Sequence, residues 1–354
     1  MTTQRKRRTG PGLIFGPGEQ GWWDSERVSC PKVMRLADDD WLMWYYGRDA
    51  EFDRQIGLPT GRVGLAKSRD GLSWQRVRGP LTMGSVFEPH PDPARFDSGH
   101  VGCSDIHYRD GKFWMFYFGG DQSLLEIGEI RIKGFPMRPG VAVSGDGIHW
   151  MRLEGPHRGA LLEPGAPGEF DAFMVAWPQV IPWDDGSWRM YYHGIDGQNY
   201  TVGWAESPDG LRWEKRGAIL GPGEAGRFDD RGVATRHIVK LDGRWTMFYE
   251  GCQDIGKGLQ VNRQIGVAVS EDGVRWERVP GPQSNGSVIA AADTPDPWDI
   301  RLGCPHVVPM PDGSLRLYYI GSDERDGEGE LDTINQIGVA ISNGDITQWQ
   351  RWEA

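Results

Sequence analysis

The feature that most constrains the fold is a sequence repeat that occurs five times along the 354 residues. In each copy an apolar run ends in glycine, a later run ends in tryptophan, and an aromatic–aspartate pair precedes both. The glycines are Gly47, Gly119, Gly194, Gly251 and Gly321, and the tryptophans are Trp74, Trp150, Trp213, Trp276 and Trp349. A repeat of this period predicts a repeat architecture in which each copy is one structural unit.

Each copy reads as four strands, because β-branched and aromatic runs alternate with the Asp-Gly turns that favour hairpins. In the first copy we expect strands at about 28–36, 41–47, 62–68 and 73–77. Antiparallel four-stranded units repeated radially make a propeller. The predicted fold is therefore all-β, a five-bladed β-propeller with four antiparallel strands per blade in one domain, 1–354. The predicted blades cover about 12–79, 84–155, 159–217, 218–281 and 286–352, after a disordered tail at 1–9.

Charge and hydropathy exclude several classes of partner. The chain has 50 acidic and 39 basic side chains and a formal charge of −11, without a basic stripe beyond its first eight residues, so nucleic acid is not an expected partner. No apolar segment is long enough to span a membrane, and none follows the basic N-terminal run as a secretory signal requires. Four widely spaced cysteines favour free thiols in a reducing compartment, so we predict a cytoplasmic protein.

The connections between strands predict which face of the disc carries the site. One face has tight turns such as Asp110-Gly111 and Asp242-Gly243, whereas the other has the long loops. These loops are expected at about 47–61, 119–138, 252–263 and 321–336. Functional residues concentrate on loops held by a rigid scaffold, so the site is expected on the long-loop face.

Aspartates that recur in every copy are predicted to be structural, because a role that is needed five times belongs to the architecture. Those of the aromatic–aspartate pairs are Asp24, Asp97, Asp171, Asp229 and Asp299. A second set follows the glycine-ended strand and is expected to cap loops: Asp49, Asp121, Asp196, Asp254 and Asp323.

Alignment of the first strands of the five copies shows where they differ. One column is polar throughout and predicts a polar channel lining, since buried polar groups must be paired or used: Lys32, Asp105, Gln179, His237 and His306. The column two residues earlier holds Cys30, Cys103, Trp177, Thr235 and Cys304. Small residues at a crowded axis explain this second column, and a thiolate metal site is the alternative.

The segments "CSDIHYRDGKFWMFYFG" and "GCPHVV" resemble the five-bladed glycosidases of glycoside hydrolase family 43 and the related invertase and phosphorylase families. The resemblance implies that Asp105 orients and tunes the catalytic acid and that His306 matches a channel histidine that often accompanies a metal ion. No cofactor is implied as required, and a divalent ion such as calcium is the optional one. The general-base aspartate of the family falls at Cys30, and its general-acid glutamate falls at Ala176 or Gly303.

Other carboxylates must therefore replace the missing pair if the chain is a glycosidase. Glu250 is unique in its column and ends a second strand on the long-loop face, which makes it the best general-acid candidate, although a salt bridge to Arg236 is an equal alternative. Glu26 is the next choice. Residues on this face or in the channel that are expected to bind substrate are Lys32, His100, Trp177, His193, Arg236, His237 and Arg301.

The leading hypothesis is a carbohydrate-active enzyme, a glycoside hydrolase or a phosphorylase, that acts on a small soluble and optionally acidic glycoside. Asp105 and Glu250 would be its carboxylate pair. One alternative is a biosynthetic isomerase, cyclase or lyase that uses the polar channel residues as acid and base. Another is a propeller that binds a sugar without catalysis. The expected partner is in each case a small molecule, and the oligomeric state is left open.

Overall fold

The computed structural model describes residues 7–49, 60–127, 130–183, 185–257, 260–323 and 333–353, and in these ranges the chain is all-β. The one helical element there is a single 3-10 turn, Thr82–Gly84. None of the helices in the described ranges could cross a membrane by length and hydropathy.

The described strands divide into five four-stranded antiparallel units. A short strand, β1 (Leu13–Phe15), precedes them. Unit one contains β2 (Arg27–Ala37), β3 (Asp40–Arg48), β4 (Gly61–Ser68) and β5 (Gln75–Val77). Unit two contains β6 (His100–Arg109), β7 (Lys112–Gly120), an inserted hairpin of β8 (Leu124–Ile127) and β9 (Ile130–Lys133), then β10 (Arg138–Ser144) and β11 (Trp150–Leu153).

Unit three contains β12 (Ala176–Pro182), β13 (Trp188–Ile195), β14 (Tyr200–Ser207) and β15 (Glu214–Leu220). Unit four contains β16 (Gly232–Leu241), β17 (Arg244–Lys257), β18 (Gln260–Ser270) and β19 (Glu277–Val279). Unit five contains β20 (Arg301–Pro309), β21 (Leu315–Ser322), β22 (Asn335–Ser342) and β23 (Gln350–Arg351), and β1 pairs with β22 at its edge. The strands of unit one begin and end within two residues of their predicted positions.

The first strands of the units form a closed ring. Strand β2 contacts β6, β6 contacts β12, β12 contacts β16, β16 contacts β20, and β20 contacts β2. Five first strands around one axis place the polar column of the sequence at the centre of the molecule. The architecture agrees with the predicted all-β propeller.

The apolar core lies between adjacent units rather than inside one of them. For example, Trp44 and Val63 of unit one pack with Met115 and Tyr117 of unit two. Recurring tryptophans pack at these junctions. The ring of Trp150 lies 6.4 Å from that of Trp44, and the ring of Trp349 lies 5.7 Å from that of Phe248.

The aromatic–aspartate pairs form one network that is repeated in all five units, which confirms that they are structural. In unit two the buried Asp97 Oδ2 accepts hydrogen bonds from the Tyr117 hydroxyl at 2.9 Å and from Arg152 Nε at 2.7 Å. The corresponding sets are Asp24, Tyr45 and Arg76; Asp171, Tyr192 and Lys215; Asp229, Tyr249 and Arg278; Asp299, Tyr319 and Arg351. A Cβ on Gly119 would lie 2.5 Å from the Cβ of Asp97, so this close packing requires the glycine that ends the second strand.

Four members of the second aspartate set cap loops, as expected: Asp121, Asp196, Asp254 and Asp323. Asp49 pairs with Arg62 Nη1 at 3.0 Å. Asp196 Oδ1 accepts from the backbone N–H groups of Gln198 and Asn199, and Asp323 Oδ1 accepts from that of Ile334.

Two expectations about irregular segments differ from the structure. The predicted loop at 252–263 is largely strand, since β17 and β18 continue to Lys257 and from Gln260 as a long hairpin. The predicted loop at 119–138 contains the β8–β9 hairpin, and most of the loop at 47–61 lies outside the described residues. Of the expected tail, residues 1–6 lie outside the described residues, whereas Arg7 Nη1 donates to Pro17 O at 2.8 Å and Arg8 Nε lies 3.0 Å from Asp296 Oδ1.

Candidate functional site

A break in strand pairing occurs at the same place in all five first strands. The register with the second strand shifts at 29–32, 103–105, 176–179, 233–236 and 303–306. In three of these bulges a non-glycine residue has a left-handed backbone and precedes a proline: Cys30 with φ 51°, Trp177 with φ 50° and Cys304 with φ 47°. Such conformations cost on the order of 1–3 kcal/mol each and cluster at functional sites.

Four of the five bulges, those of units one, three, four and five, contribute residues to the wall of a cavity of about 140 Å³. Its wall is largely apolar and aromatic, with a few charged and polar groups. The lining residues that matter for recognition and chemistry are Arg27, Cys30, Tyr46, Arg48, Phe135, Trp177, His193, Tyr200, Thr235, Glu250, Cys252, Arg263 and Cys304. A small concave site with a few convergent polar groups is typical of a ligand pocket.

Glu250 is buried in the cavity wall with a relative exposure of 5%. Its Oε2 accepts hydrogen bonds from the Thr235 hydroxyl and from the backbone N–H of Cys304 at 3.1 Å. Its Oε1 lies 3.5 Å from Arg263 Nε. The partner of Glu250 is therefore Arg263, not Arg236 as the sequence suggested.

Guanidinium groups outnumber carboxylates in the wall. Arg27, Arg48 and Arg263 line the cavity with Glu250, which is the one carboxylate among the described lining residues. Arg48 is buried, donates from Nε to the Tyr46 hydroxyl and lies over the Tyr46 ring, while its Nη1 has no hydrogen-bond partner among the described residues. A buried donor without a partner is costly unless a ligand satisfies it.

Two thiols meet in the wall. The Sγ atoms of Cys30 and Cys304 are 2.9 Å apart, and Trp177 Nε1 donates to Cys30 Sγ at 3.3 Å. The hydrogen bond from Cys304 lowers the pKa of the Cys30 thiol against the opposing effect of burial, and Trp177 and Lys32 add to the lowering. The same hydrogen bond and burial raise the pKa of Cys304 well above its ordinary value.

Trp177 is the aromatic centre of the site. Its ring stacks on that of His193 at 5.0 Å with an interplanar angle of 15°, and it lies 4.3 Å from the ring of Phe118. Arg236 donates to the carbonyl oxygens of Trp177 and Tyr191, the latter at 2.6 Å, so its guanidinium holds the bulge. Burial and the Arg236 charge lower the pKa of His193 well below its ordinary value, which keeps the imidazole neutral.

The polar column of Lys32, Asp105, Gln179, His237 and His306 lies two residues further along the first strands than the column that contains Cys30. All five of its members pair with the same position of their second strands: Trp44, Phe116, Tyr191, Phe248 and Tyr318. None of the five is among the residues that line the cavity in the described part of the chain. The column is therefore a separate layer of the channel.

Asp105 belongs to this layer and is saturated with donors. Its carboxylate accepts from His107 Nε2 at 2.8 Å and from the backbone N–H groups of Val180 at 2.8 Å and Ile106 at 3.0 Å. Burial raises the pKa of Asp105, but His107, the Val180 N–H and Lys32 outweigh it, so the pKa lies below the ordinary value. The structure does not bring Asp105 into the cavity that Glu250 lines.

His306 and His237 stack in the same layer with ring centroids 4.1 Å apart. Burial, then the Lys32 charge, lower the pKa of His306 to about 3, and burial also lowers that of His237 well below its ordinary value. His306 Nε2 lies 2.9 Å from Val33 O, which engages that nitrogen as a donor. Calcium prefers several oxygen ligands, whereas the described part of the chain contains no group of three or more His, Cys, Asp or Glu that could hold a metal ion. The surroundings of His306 do not fit a calcium ion.

The remaining predicted residues lie away from the cavity. Glu26 is exposed, with its backbone N–H bonded to Arg48 O. His100 is buried with Nε2 2.9 Å from Gly134 O, and Arg301 is buried at the start of β20. Of the predicted site residues, the structure brings together Glu250, Trp177 and His193.

Sequence reasoning missed Arg48 and Arg263 as lining residues, because both follow the repeat elements that were aligned. The positions of three bulges could have been predicted from the sequence. Cys30-Pro31, Trp177-Pro178 and Cys304-Pro305 place a proline inside an apparent central strand, which indicates a bulge.

No family model matches the chain. Two curated relatives, the uncharacterized proteins MT1551 and Rv1502 of Mycobacterium tuberculosis, are each 30% identical over 211 residues. The match covers 57% of this chain and 64% of each relative, so it spans less than two thirds of their length.

Solved structures resemble the chain over nearly its whole length. A glycosyl hydrolase from Bacteroides ovatus has a TM-score of 0.68 at 18% identity, with 98% of this chain and 95% of that chain covered. A protein of the GH130 family, described as mannoside phosphorylases that include glycoside hydrolases targeting β-1,2 mannosidic linkages in Candida mannan, has a TM-score of 0.67 at 18% identity and the same coverage. Sucrose-6-phosphate hydrolase from Lactobacillus gasseri has a TM-score of 0.62 at 14% identity over 94% of this chain and 60% of that one.

The chain has the fold of the β-propeller glycosidases. This confirms the all-β propeller prediction. At these identities the likeness concerns the fold, and the chemistry must be argued from the cavity.

Proposed function

We propose that the cavity is the active site of a carbohydrate-active enzyme that cleaves a small glycoside, with Glu250 as its catalytic carboxylate. The observation that carries the proposal is the position of Glu250. It occupies the cavity wall where the other units have Tyr46, Phe118, His193 and Ile320, so one unit departs from the repeat to supply a carboxylate. A buried carboxylate in a cleft is a candidate acid or base.

The dimensions support a small ligand. At about 140 Å³ the cavity is smaller than the roughly 300–1,000 Å³ of pockets for drug-sized ligands, so it suits one sugar ring rather than a polymer segment. The ring of Trp177 and the neighbouring Phe135 and Tyr200 supply the apolar surface on which a sugar face packs. The cytoplasmic location stays a prediction and is compatible with a small soluble glycoside.

The arginines support an anionic group in the reaction, either the carboxylate of an acidic sugar or inorganic phosphate. Arginine binds both by paired charge-assisted hydrogen bonds, and Arg48 Nη1 is a buried donor without a described partner. An anion between Arg48 and Arg263 would satisfy that donor.

Among the described lining residues Glu250 is the single carboxylate, which favours phosphorolysis over hydrolysis. Hydrolysis ordinarily uses two carboxyl groups about 5–9.5 Å apart, one of which activates water or attacks the sugar. Phosphate is already an anionic nucleophile and needs no base, so one acid for the leaving oxygen suffices. Asp105, the other candidate, lies outside the cavity lining with its carboxylate occupied by three donors.

The contacts of Glu250 leave one of its oxygens available for the reaction. Thr235 and the Cys304 N–H hold Oε2, which leaves Oε1 to carry the proton and donate it to the glycosidic oxygen.

The test is cleavage of a panel of methyl glycosides, including uronic acids, with and without phosphate, because an alkoxide leaving group needs the proton that Glu250 would supply. We expect turnover that depends on phosphate, and Glu250→Gln should lower kcat by about 100-fold or more because it removes the proton donor. Glu206→Gln is the matched control, since Glu206 lies near the end of β14, is not among the described lining residues and pairs with Arg216 at 2.9 Å, so this variant should retain activity.

Turnover that needs no phosphate but still collapses in Glu250→Gln would assign hydrolysis of an acidic glycoside instead. Full activity of Glu250→Gln on a substrate that the wild type cleaves would refute the proposal.

A further inference from the structure

The Cys30–Cys304 pair lies at the seam where the ring closes. Cys30 is on β2 of unit one and Cys304 on β20 of unit five, 274 positions apart in sequence. Both residues are held in left-handed bulges and both line the cavity, so small solutes can reach their sulfur atoms. The 2.9 Å separation exceeds an S–S bond by only about 0.9 Å.

We propose that Cys30 and Cys304 are a redox-active dithiol that hydrogen peroxide converts into a disulfide joining the first and last units in the cavity wall. The proposal goes beyond glycoside cleavage, because it depends on the two sulfur atoms and needs no sugar.

Cys30 is the attacking sulfur. Its Sγ accepts a hydrogen bond from Trp177 Nε1, lies 2.9 Å from the Cys304 Sγ, and is acted on by the charge of Lys32. These contacts favour the thiolate, which is the nucleophilic form. Cys304 keeps its proton and is the resolving thiol, a division of roles found in redox-sensing cysteine pairs.

The chemistry balances with one peroxide. The Cys30 thiolate attacks a peroxide oxygen, the O–O bond breaks, and the departing hydroxide takes up a proton to leave as water, which forms a sulfenic acid on Cys30. The Cys304 sulfur then attacks the sulfenic sulfur, and the hydroxide that leaves takes the Cys304 proton as a second water. Two thiols and one peroxide give one disulfide and two waters, with the sulfurs oxidised and the peroxide oxygens reduced.

The other two cysteines are internal controls. Cys252 lines the same cavity, but burial and then the Glu250 charge raise its pKa well above the ordinary value. Burial raises the pKa of Cys103 likewise, and Cys103 is not among the described lining residues. Access alone therefore does not distinguish Cys30 from Cys252, whereas the hydrogen bonds to Cys30 do.

Oxidation would act on the site as well as on the ring. The backbone N–H of Cys304 holds Glu250 Oε2, and Cys30 Sγ holds Trp177 Nε1. A bond between the two sulfur atoms would therefore shift both the Glu250 carboxylate and the Trp177 ring.

The experiment treats the reduced full-length protein with limiting hydrogen peroxide, blocks remaining thiols with N-ethylmaleimide and maps peptides without reductant. We expect a Cys30–Cys304 cross-linked peptide, loss of two of the four thiols, and reversal by dithiothreitol. Cys252→Ser should give the same map. Peroxide oxidation at Cys252 or Cys103 before Cys30, or sulfinic acid on Cys30 with Cys304 still reduced, would overturn the proposal.

A second arm separates the two steps. Cys304→Ser should leave a sulfenic acid on Cys30 that dimedone traps and no cross-link, and the oxidised wild type should have a Tm several degrees above the reduced one because the cross-link closes a long loop. No dimedone adduct in a folded Cys304→Ser protein, or an unchanged Tm after cross-linking, would count against it. If that variant does not fold, the wild-type peptide map decides alone.

Discussion

The aspartate networks and the bulges of the first strands belong to the same repeat but obey it to different degrees. Each aspartate has the same partners in every unit, a tyrosine hydroxyl and a basic side chain. The bulges hold Cys30, Cys103, Trp177, Thr235 and Cys304, and their second-strand neighbours include the unmatched Glu250. Identical contacts in five units define the architecture, whereas the positions where the units differ converge on the cavity.

The two regions also differ in the chemistry of their buried polar groups. In the network, one carboxylate oxygen of each aspartate takes one neutral and one charged donor. The cavity wall contains the neutral imidazole of His193 and the Cys30–Cys304 pair, in which the Cys30 thiolate is favoured. It also contains Arg48, whose Nη1 has no described hydrogen-bond partner. Stability should therefore be sensitive to changes in the first region, and ligand binding to changes in the second.

The largest expected effect on stability is that of Asp97→Ala. It leaves the Tyr117 hydroxyl and the Arg152 guanidinium without their shared acceptor, which should lower the free energy of unfolding by about 3 kcal/mol. Urea denaturation measures it. Glu154→Ala is the control, because Glu154 pairs with Arg95 at 67% exposure and should cost less than about 1 kcal/mol. A stable Asp97→Ala protein that has lost activity would instead make these aspartates functional.

The second effect is an acid response from the buried histidines. Burial lowers the pKa of His100 to about 4, from an ordinary 6.5 in the unfolded chain. The unfolded state thus binds the proton more tightly, and the stability present above pH 6.5 is lost as pH falls toward 4. His100 alone should cost about 2 kcal/mol between pH 7 and pH 5.

His100→Gln keeps a donor for the Gly134 carbonyl without a titrating group. Its free energy of unfolding should fall less than that of the wild type over this pH interval, by urea denaturation at both pH values. Equal losses in the two proteins would place the acid response elsewhere.

The smallest expected effect is on anion affinity. Arg48→Gln should weaken phosphate binding by about tenfold, the loss of roughly one charge-assisted interaction, with little change in the urea midpoint. Isothermal titration calorimetry measures the affinity. Arg62→Gln is the matched control, since Arg62 pairs with Asp49 at 3.0 Å and is not among the described lining residues. An equal loss of phosphate affinity in both variants would mean that phosphate responds to the overall charge of the protein and not to a specific site at Arg48.

The fold was readable from the sequence because its determinants are local and repeated. Glycine-ended strands, Asp-Gly turns and aromatic–aspartate pairs each report on their own unit, and five copies reinforce one another. The structural role of Asp97 and its equivalents followed from recurrence alone.

The site was readable only in part, because it depends on contacts between units. Glu250 stood out as a departure from the repeat. The proximity of Cys30 to Cys304 and the pairing of Glu250 with Arg263 depend on the bulges and on the long β17–β18 hairpin. Asp105 was chosen by resemblance, and its saturation by His107 and the Val180 N–H could not be read from spacing.

The pairing of β1 with β22 has a consequence for how the molecule folds. Leu13 lies opposite Gly338, so a strand near one end of the chain completes the sheet of the last unit near the other. On the ribosome β1 is made first and finds its partner last, after four units have had time to form. Contacts between such distant segments carry a large loop-closure entropy and form slowly. Docking of β1 on β22 should accordingly be the late, rate-limiting step, and a chain stalled before it would display the unpaired edge of β22 to other chains.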